Sequence, residues 1–175
     1  MNYTFDTICA TATPLSTGGI GVIRVSGENA IEIVQKIFSK KITPKVINHG
    51  WILKNGKKID EVIVLPFIAP HSYTGENVAE IQTHGSPVVI NEILHLVLEN
   101  GARLAQRGEF TKRAFLNHKI DLSQAEAVLD LINAKTTKSA QGAANNLSGA
   151  LKIKIEEIKT QISDILGRII ASLDF

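Results

Sequence analysis

Two charged side chains stand where a folded chain has little use for them. Arg24 lies in the run Val22-Ile23-Arg24-Val25, and Glu80 in Val78-Ala79-Glu80-Ile81. Both runs are β-rich, and strand alternation sets each charge opposite its apolar neighbours. A guanidinium or carboxylate leaving a central strand is costly unless an ion pair or a ligand meets it. Either partner would satisfy them, so both remain candidates for an internal salt bridge or for a binding site. Lys119 is the third candidate. It follows Asn117-His118, which break the apolar helical face of Phe110, Ala114 and Phe115, and a new helix starts soon after it. A cation on such an elbow is free to point away from its own helix. Tyr73, just before Thr74-Gly75-Glu76, is the aromatic best placed to stack on a flat ligand.

Other chemistries find less support. His49, His71, His84, His95 and His118 are scattered, without a His-x-x-x-His pair or a cysteine partner, so no metal site is expected. His71 and His84 flank the segment 72–85 and are read as structural or pocket-lining. Gly18-Gly19-Ile20-Gly21 precedes a strand, whereas a dinucleotide fingerprint follows a strand and opens a helix. This segment reads instead as a loop that lets backbone approach another surface. No Gly-x-x-x-x-Gly-Lys-Ser/Thr occurs, so these residues hold no phosphate-cradling GTP loop. Cys9, the single cysteine, excludes an internal disulfide and fits a reducing compartment. Its apolar strand predicts a buried, inert thiol. No residue is assigned a catalytic role.

The elements that must position these residues are legible in outline. With 44% hydrophobic and 21% charged residues, the 175-residue chain has the composition of a folded globular protein. Its net charge of +2 says little about partners, and Lys40-Lys41 and Lys57-Lys58 read as solvated turns rather than a phosphate track. The first residues lack a signal peptide, and no apolar run approaches the ~20 residues that span a bilayer. A cytoplasmic protein without membrane association is expected. Strands are predicted at 7–12 and 21–25, a helix at 28–38, and a hairpin of 46–53 with 59–67 across Asn55-Gly56. A strand at 78–82 and a helix at 87–99, closed by Asn100-Gly101, complete the set. The pattern is α+β: a mixed β-sheet domain with helices on one face.

After Asp121 the character changes to helix. Ser123-Gln124-Ala125-Glu126 has the form of a capping box opening a helix over 123–134. The run to Phe175 has no proline and only Gly142, Gly149 and Gly167. Leu147, Leu151, Ile155, Ile158, Ile162, Ile165, Ile169 and Leu173 follow one another in steps of three or four, and Ile153, Leu166 and Ile170 widen the stripe. So apolar a helix needs several partners, from a dimer or from the rest of a larger helical bundle.

The wording of several segments resembles the tRNA-modification GTPases of the MnmE (TrmE) family. They are Asp6-Thr7-Ile8, Ala10-Thr11-Ala12-Thr13-Pro14 and Gly18-Gly19-Ile20-Gly21-Val22-Ile23-Arg24-Val25-Ser26-Gly27. Ser72-Tyr73-Thr74-Gly75-Glu76-Asn77-Val78-Ala79-Glu80, His84-Gly85-Ser86-Pro87 and the run from Gly108 to Ala127 continue the match, with Ser86 where the family often has a second glycine. The resemblance implies a tetrahydrofolate-binding, dimer-forming domain over 1–118 and the start of a helical domain over 119–175. The family's G domain, with its GTP, Mg and K, is absent from these residues. Arg24, Glu80 and Lys119 fall where the family holds folate. In that reading Glu80 accepts N–H bonds from the amino-pyrimidine edge of the pterin. Arg24 and Lys119 meet the formyl oxygen or the glutamate tail, and Tyr73, Gly19 and Gly21 are candidate pocket lining. The resemblance further implies 5-formyl-tetrahydrofolate at the one-carbon donor site, a homodimer, an FAD-containing MnmG partner and tRNA wobble-uridine modification. Two rivals differ in kind: a stand-alone aminomethyltransferase-like folate enzyme, with a longer chain and a catalytic carboxylate, and a ligand-free interaction module.

Overall fold

The computed structural model describes the backbone of residues 6–174 and the side chains through Ser172. The chain divides into two compact units between Lys119 and Ile120. The first contains, in chain order, β1 (Ile8–Thr11), β2 (Gly18–Ser26), α1 (Ala30–Ile37), β3 (Asn48–Lys54) and β4 (Lys57–Phe67). It continues with β5 (Val78–Gly85), α2 (Pro87–Glu99), β6 (Arg103–Leu104) and α3 (Glu109–Leu116).

The six strands form one sheet in the order β3-β4-β5-β2-β1-β6. Only β1 and β6 run parallel; the other neighbours are antiparallel. This is a mixed sheet in an α+β unit. The β3–β4 turn places Asn55 at φ +50° and Gly56 at φ +78°, the left-handed pair a tight hairpin requires. Helix α2 starts at Pro87, which has no N–H to lose there, and stops before Gly101 at φ +110°.

Alternation sorts the strands into two faces. Ile23, Val25, Val64 and Ile81 join Ile33, Val34, Ile90 and Ile93 of α1 and α2 in one fully buried cluster. Gly21 belongs to that side, since a Cβ there would run into the Ile90 side chain. The two-residue β6 has no sequence signature of its own. It forms because the chain leaving α2 returns beside β1, where Arg103 N–H donates to the Thr7 carbonyl and Ala105 N–H to that of Cys9.

The second unit contains α4 (Leu122–Asn133), α5 (Thr137–Leu147) and α6 (Ala150–Asp174). Two expectations are corrected here. The capping box lies two residues earlier than Ser123: Asp121 accepts the Gln124 N–H and the Gln124 side chain accepts the Asp121 N–H. Ser123 instead donates its hydroxyl to Asp121. The long final run is two helices, because Ser148 and Gly149, the latter at φ +86°, end α5 before α6 begins. Helix α4 packs on α5, with Ala127 and Ala143 buried. The α6 stripe from Leu151 to Ile170 is exposed, and the Leu173 side chain lies outside the described residues. Among the described residues no helix is long and apolar enough to cross a membrane.

Candidate functional site

Arg24 and Glu80 are directly opposite each other on β2 and β5. Alternation turns both away from α1 and α2, toward the other face of the sheet. The Arg24 Nε–H donates to Glu80 Oε1 at 2.7 Å, and its terminal nitrogen approaches the same oxygen at 2.7 Å. The guanidinium carbon lies 5.2 Å from the centre of the Tyr73 ring and 5.6 Å from that of Phe110 on α3. A planar cation thus sits against two aromatic rings while holding a carboxylate beside it. Tyr73, 38% exposed, is fixed by a 2.8 Å hydrogen bond between its hydroxyl and that of Thr111.

Lys119 reaches the same loop from its other side. Its backbone turns with His118 at φ +56°, its stem lies against Gly75, and its ammonium donates to the Pro70 carbonyl at 3.0 Å. The ammonium therefore meets the loop that carries Tyr73 rather than the carboxylate of Glu80. An open cavity of about 470 Å³ is lined by Leu65, the cross-strand neighbour of Glu80, with Lys45, Ile47, Phe67 and His71; Arg24, Glu80 and Tyr73 are not part of its wall. Gly19 is exposed and lines a second, smaller cavity of about 280 Å³ with Gln82 and His84, whereas Gly21 is buried beneath Ile90. Of the residues singled out from sequence, Arg24, Glu80 and Tyr73 come together and Lys119 joins their loop. Gly19 stands apart from them, at a different cavity.

What holds this arrangement is a charge network that sequence reasoning missed. Arg113 on α3 is 1% exposed and pairs with Asp6, Glu76 and Glu109 at 3.0–3.1 Å. Arg103 pairs with Asp6 and, at 2.6 Å, with Glu109. Glu76 also accepts the Ser26 hydroxyl, and Asn117 donates to the Thr74 carbonyl, so α3, the loop and β2 are tied together. The Arg103 guanidinium beside Glu109, with Arg113 and the Gln106 N–H, brings the Glu109 carboxyl down to about 2. The Arg103 bond likewise holds Asp6 below its ordinary value. The signal in the sequence was faint: Glu109 and Arg113 are one helical turn apart, and Glu76 and Arg113 both lie inside segments that carry the family resemblance.

Three further groups, His84, Asp60 and Cys9, are perturbed by their surroundings. His84 Nδ1 lies 2.6 Å from Asp60, whose other oxygen accepts the His84 N–H at 2.8 Å. That carboxylate raises His84 above the usual imidazole value. Burial pushes Asp60 up, but the His84 ring and N–H outweigh it and hold the carboxyl below its usual range. Burial also pushes the Cys9 thiol up to about 11. No group of three metal-ligating side chains assembles among the described residues.

With this geometry in place, the family relationship is direct. Residues 7–119 match the family described as GTP-binding protein TrmE N-terminus, and residues 122–175 match the MnmE helical domain. A tRNA modification GTPase MnmE of Caldicellulosiruptor saccharolyticus is 49% identical over 98% of this chain and 39% of its own length. The MnmE proteins of Streptococcus mutans and Thermotoga maritima are 49% and 45% identical, over 98% and 97% of this chain and 38% of their own. The chain thus spans about two-fifths of the curated relatives it matches. It belongs to the MnmE (TrmE) family, as that family's N-terminal domain followed by helical-domain sequence.

Proposed function

We propose that this chain is the folate-binding, dimer-forming part of a cytoplasmic tRNA wobble-uridine-modifying GTPase. It takes 5-formyl-tetrahydrofolate at the Arg24–Glu80 site and acts with an FAD-dependent MnmG-type protein on tRNA. The observation that carries the reading is the half-buried Arg24–Glu80 pair on the sheet face away from α1 and α2, flanked by two aromatic rings. These residues fit the ligand. A carboxylate on a sheet face accepts paired N–H donors from a pterin edge, an aromatic ring offers a stacking surface, and cations suit a formyl oxygen or a glutamate tail. The folate supplies a one-carbon unit, and Arg24, Glu80, Tyr73 and Lys119 bind and orient it.

Calorimetric titration with 5-formyl-tetrahydrofolate tests the proposal. Saturable binding is expected, and Glu80→Ala weakens it by about ten- to hundredfold, the worth of one charge-assisted hydrogen bond. A Glu80→Ala protein with an intact fold and unchanged affinity would remove Glu80 from the site. No saturable binding of GTP by residues 1–175 is expected, because no phosphate loop is present.

A further inference from the structure

We propose that the outer edge of the sheet, along β3, is an RNA-binding face that takes the phosphate backbone of tRNA. The inference deepens the functional reading, since it rests on tRNA being the macromolecular partner. Its test leaves Arg24, Glu80 and Lys45 untouched, the last because it also lines the cavity beside Leu65 and Phe67.

The charge of the chain is unevenly placed. Residues 36–58 contain Lys36, Lys40, Lys41, Lys45, Lys54, Lys57 and Lys58 and not one aspartate or glutamate. Seven of the 19 basic residues therefore fall in this segment, leaving twelve against all 17 acidic ones elsewhere. All seven lysines are exposed. The fold strings six of them, all but Lys36 on α1, along one side of the sheet, which linear spacing does not show. Strand β3 is the edge of the sheet, and its hairpin brings Lys54 beside Lys57 and Leu53 beside Lys58. After α1 the chain folds back along the outer side of β3. There Phe38 bridges to Ile52, the Ser39 N–H donates to the Trp51 carbonyl, and the Lys40 ammonium donates to that of His49. Lys40 and Lys41 thereby join the hairpin lysines along one edge, and Lys45 follows in the next loop.

Ion pairs neutralise little of this. Lys54 pairs with Glu92 and Lys36 with Glu32. Among the described residues, Lys40, Lys41, Lys45, Lys57 and Lys58 form no salt bridge. Trp51, the only tryptophan, is half-buried on β3 with the Lys58 ammonium 4.4 Å from its ring centre. Lysines interleaved with a half-buried aromatic ring suit a nucleic acid, whose phosphates take the cations and whose bases stack on the ring's free edge or displace Lys58 from it. A simpler role for edge lysines is to discourage strand-to-strand aggregation. That role needs charges on the strand itself, whereas Lys40, Lys41 and Lys45 lie off it, and residues 38–40 already cover part of the edge.

The test is a titration of the chain with unmodified tRNA, following Trp51 fluorescence and the anisotropy of labelled tRNA. Saturable binding that quenches Trp51 is expected. The logarithm of its affinity should fall with the logarithm of salt at a slope of about −3 to −5, for roughly five phosphates. The triple variant Lys41→Gln/Lys57→Gln/Lys58→Gln should lose at least about tenfold in affinity and flatten the slope by about 2–3. A charge-matched control, Lys135→Gln/Lys138→Gln/Lys152→Gln, should bind as the parent does. Equal losses in both variants, binding that leaves Trp51 unquenched, or no binding at all would each overturn the proposal. Equal affinity for poly-glutamate of matched charge would also overturn it, and would assign the edge to an acidic protein. Folate affinity measured on the same triple variant should be unchanged, so failure here stays separable from failure of the folate reading.

Discussion

Arg113 joins three separate stretches of the first unit through one buried guanidinium. That group, 1% exposed, meets carboxylates from α3, from the loop before β5 and from Asp6, two residues before β1. Arg113→Met should destabilise the first unit by about 3–5 kcal/mol in denaturant unfolding, because Glu76 would keep its burial without its cation, whereas Glu109 retains Arg103. Arg113→Lys should recover only part of that, since an ammonium cannot fork between three partners. The network also sets an acid limit. Glu109 has a folded-state value of about 2 against an ordinary 4.5, so its contribution is full above 4.5 and is lost as pH falls through about 2. Glu109→Gln should flatten the stability profile in that window. His84 has the opposite sign: its raised value gives a contribution present below about 6.5 and lost as pH rises through the folded-state value. An NMR titration should place His84 above the ordinary imidazole range, and Asp60→Asn should return it there. At this scale the sequence was partly readable. Arg24 and Glu80 stood out because strand alternation exposed them. Arg113 did not, because its partner Asp6 lies 107 residues away and no local pattern links them.

Element boundaries followed local chemistry wherever that chemistry was unambiguous. The hairpin at Asn55-Gly56 and helix α2 between Pro87 and Glu99 fall where turn and cap residues place them. The start of α4 does not, because Asp121-x-x-Gln124 and Ser123-x-x-Glu126 are competing boxes two residues apart. The positive φ of His118 and the turn that follows it favour the earlier one. Asp121→Ala should therefore lower stability by about 1 kcal/mol in thermal unfolding, and Ser123→Ala by less. The break between α5 and α6 was hidden for a different reason. A helical glycine costs only about 1 kcal/mol, so the apolar period ran through Gly149 unmarked, while its φ of +86° ends the helix. Strand β6 is legible only from its partner, since two residues cannot display an alternation.

At the scale of the whole chain, the proposed dimer has two candidate surfaces. The first unit is proposed to dimerise through the sheet domain as an isologous pair. The second exposes Ile155, Ile158, Ile162, Ile165, Ile169 and Ile170 along α6, a continuous apolar stripe of the kind that marks an interaction surface. Truncation after Lys119 separates them, because the first unit has its own core. Sedimentation should show that the shortened chain remains dimeric. A monomer, with the longer chain dimeric, would assign the interface to α6. Neither surface was fully legible beforehand: periodicity announces an apolar stripe but not which partner covers it.

Cys9 gives the sheet a built-in clock. It is the only thiol in the chain, lies fully buried on β1 between β2 and β6, and is held protonated by burial. An alkylating reagent reaches it only when that sheet opens, and it must then act on an ordinary, exposed thiol. The alkylation rate of the unmodified protein therefore counts opening events of β1 directly, without an introduced probe. A bound ligand that bridges β2 and β5 should slow that count in proportion to its occupancy.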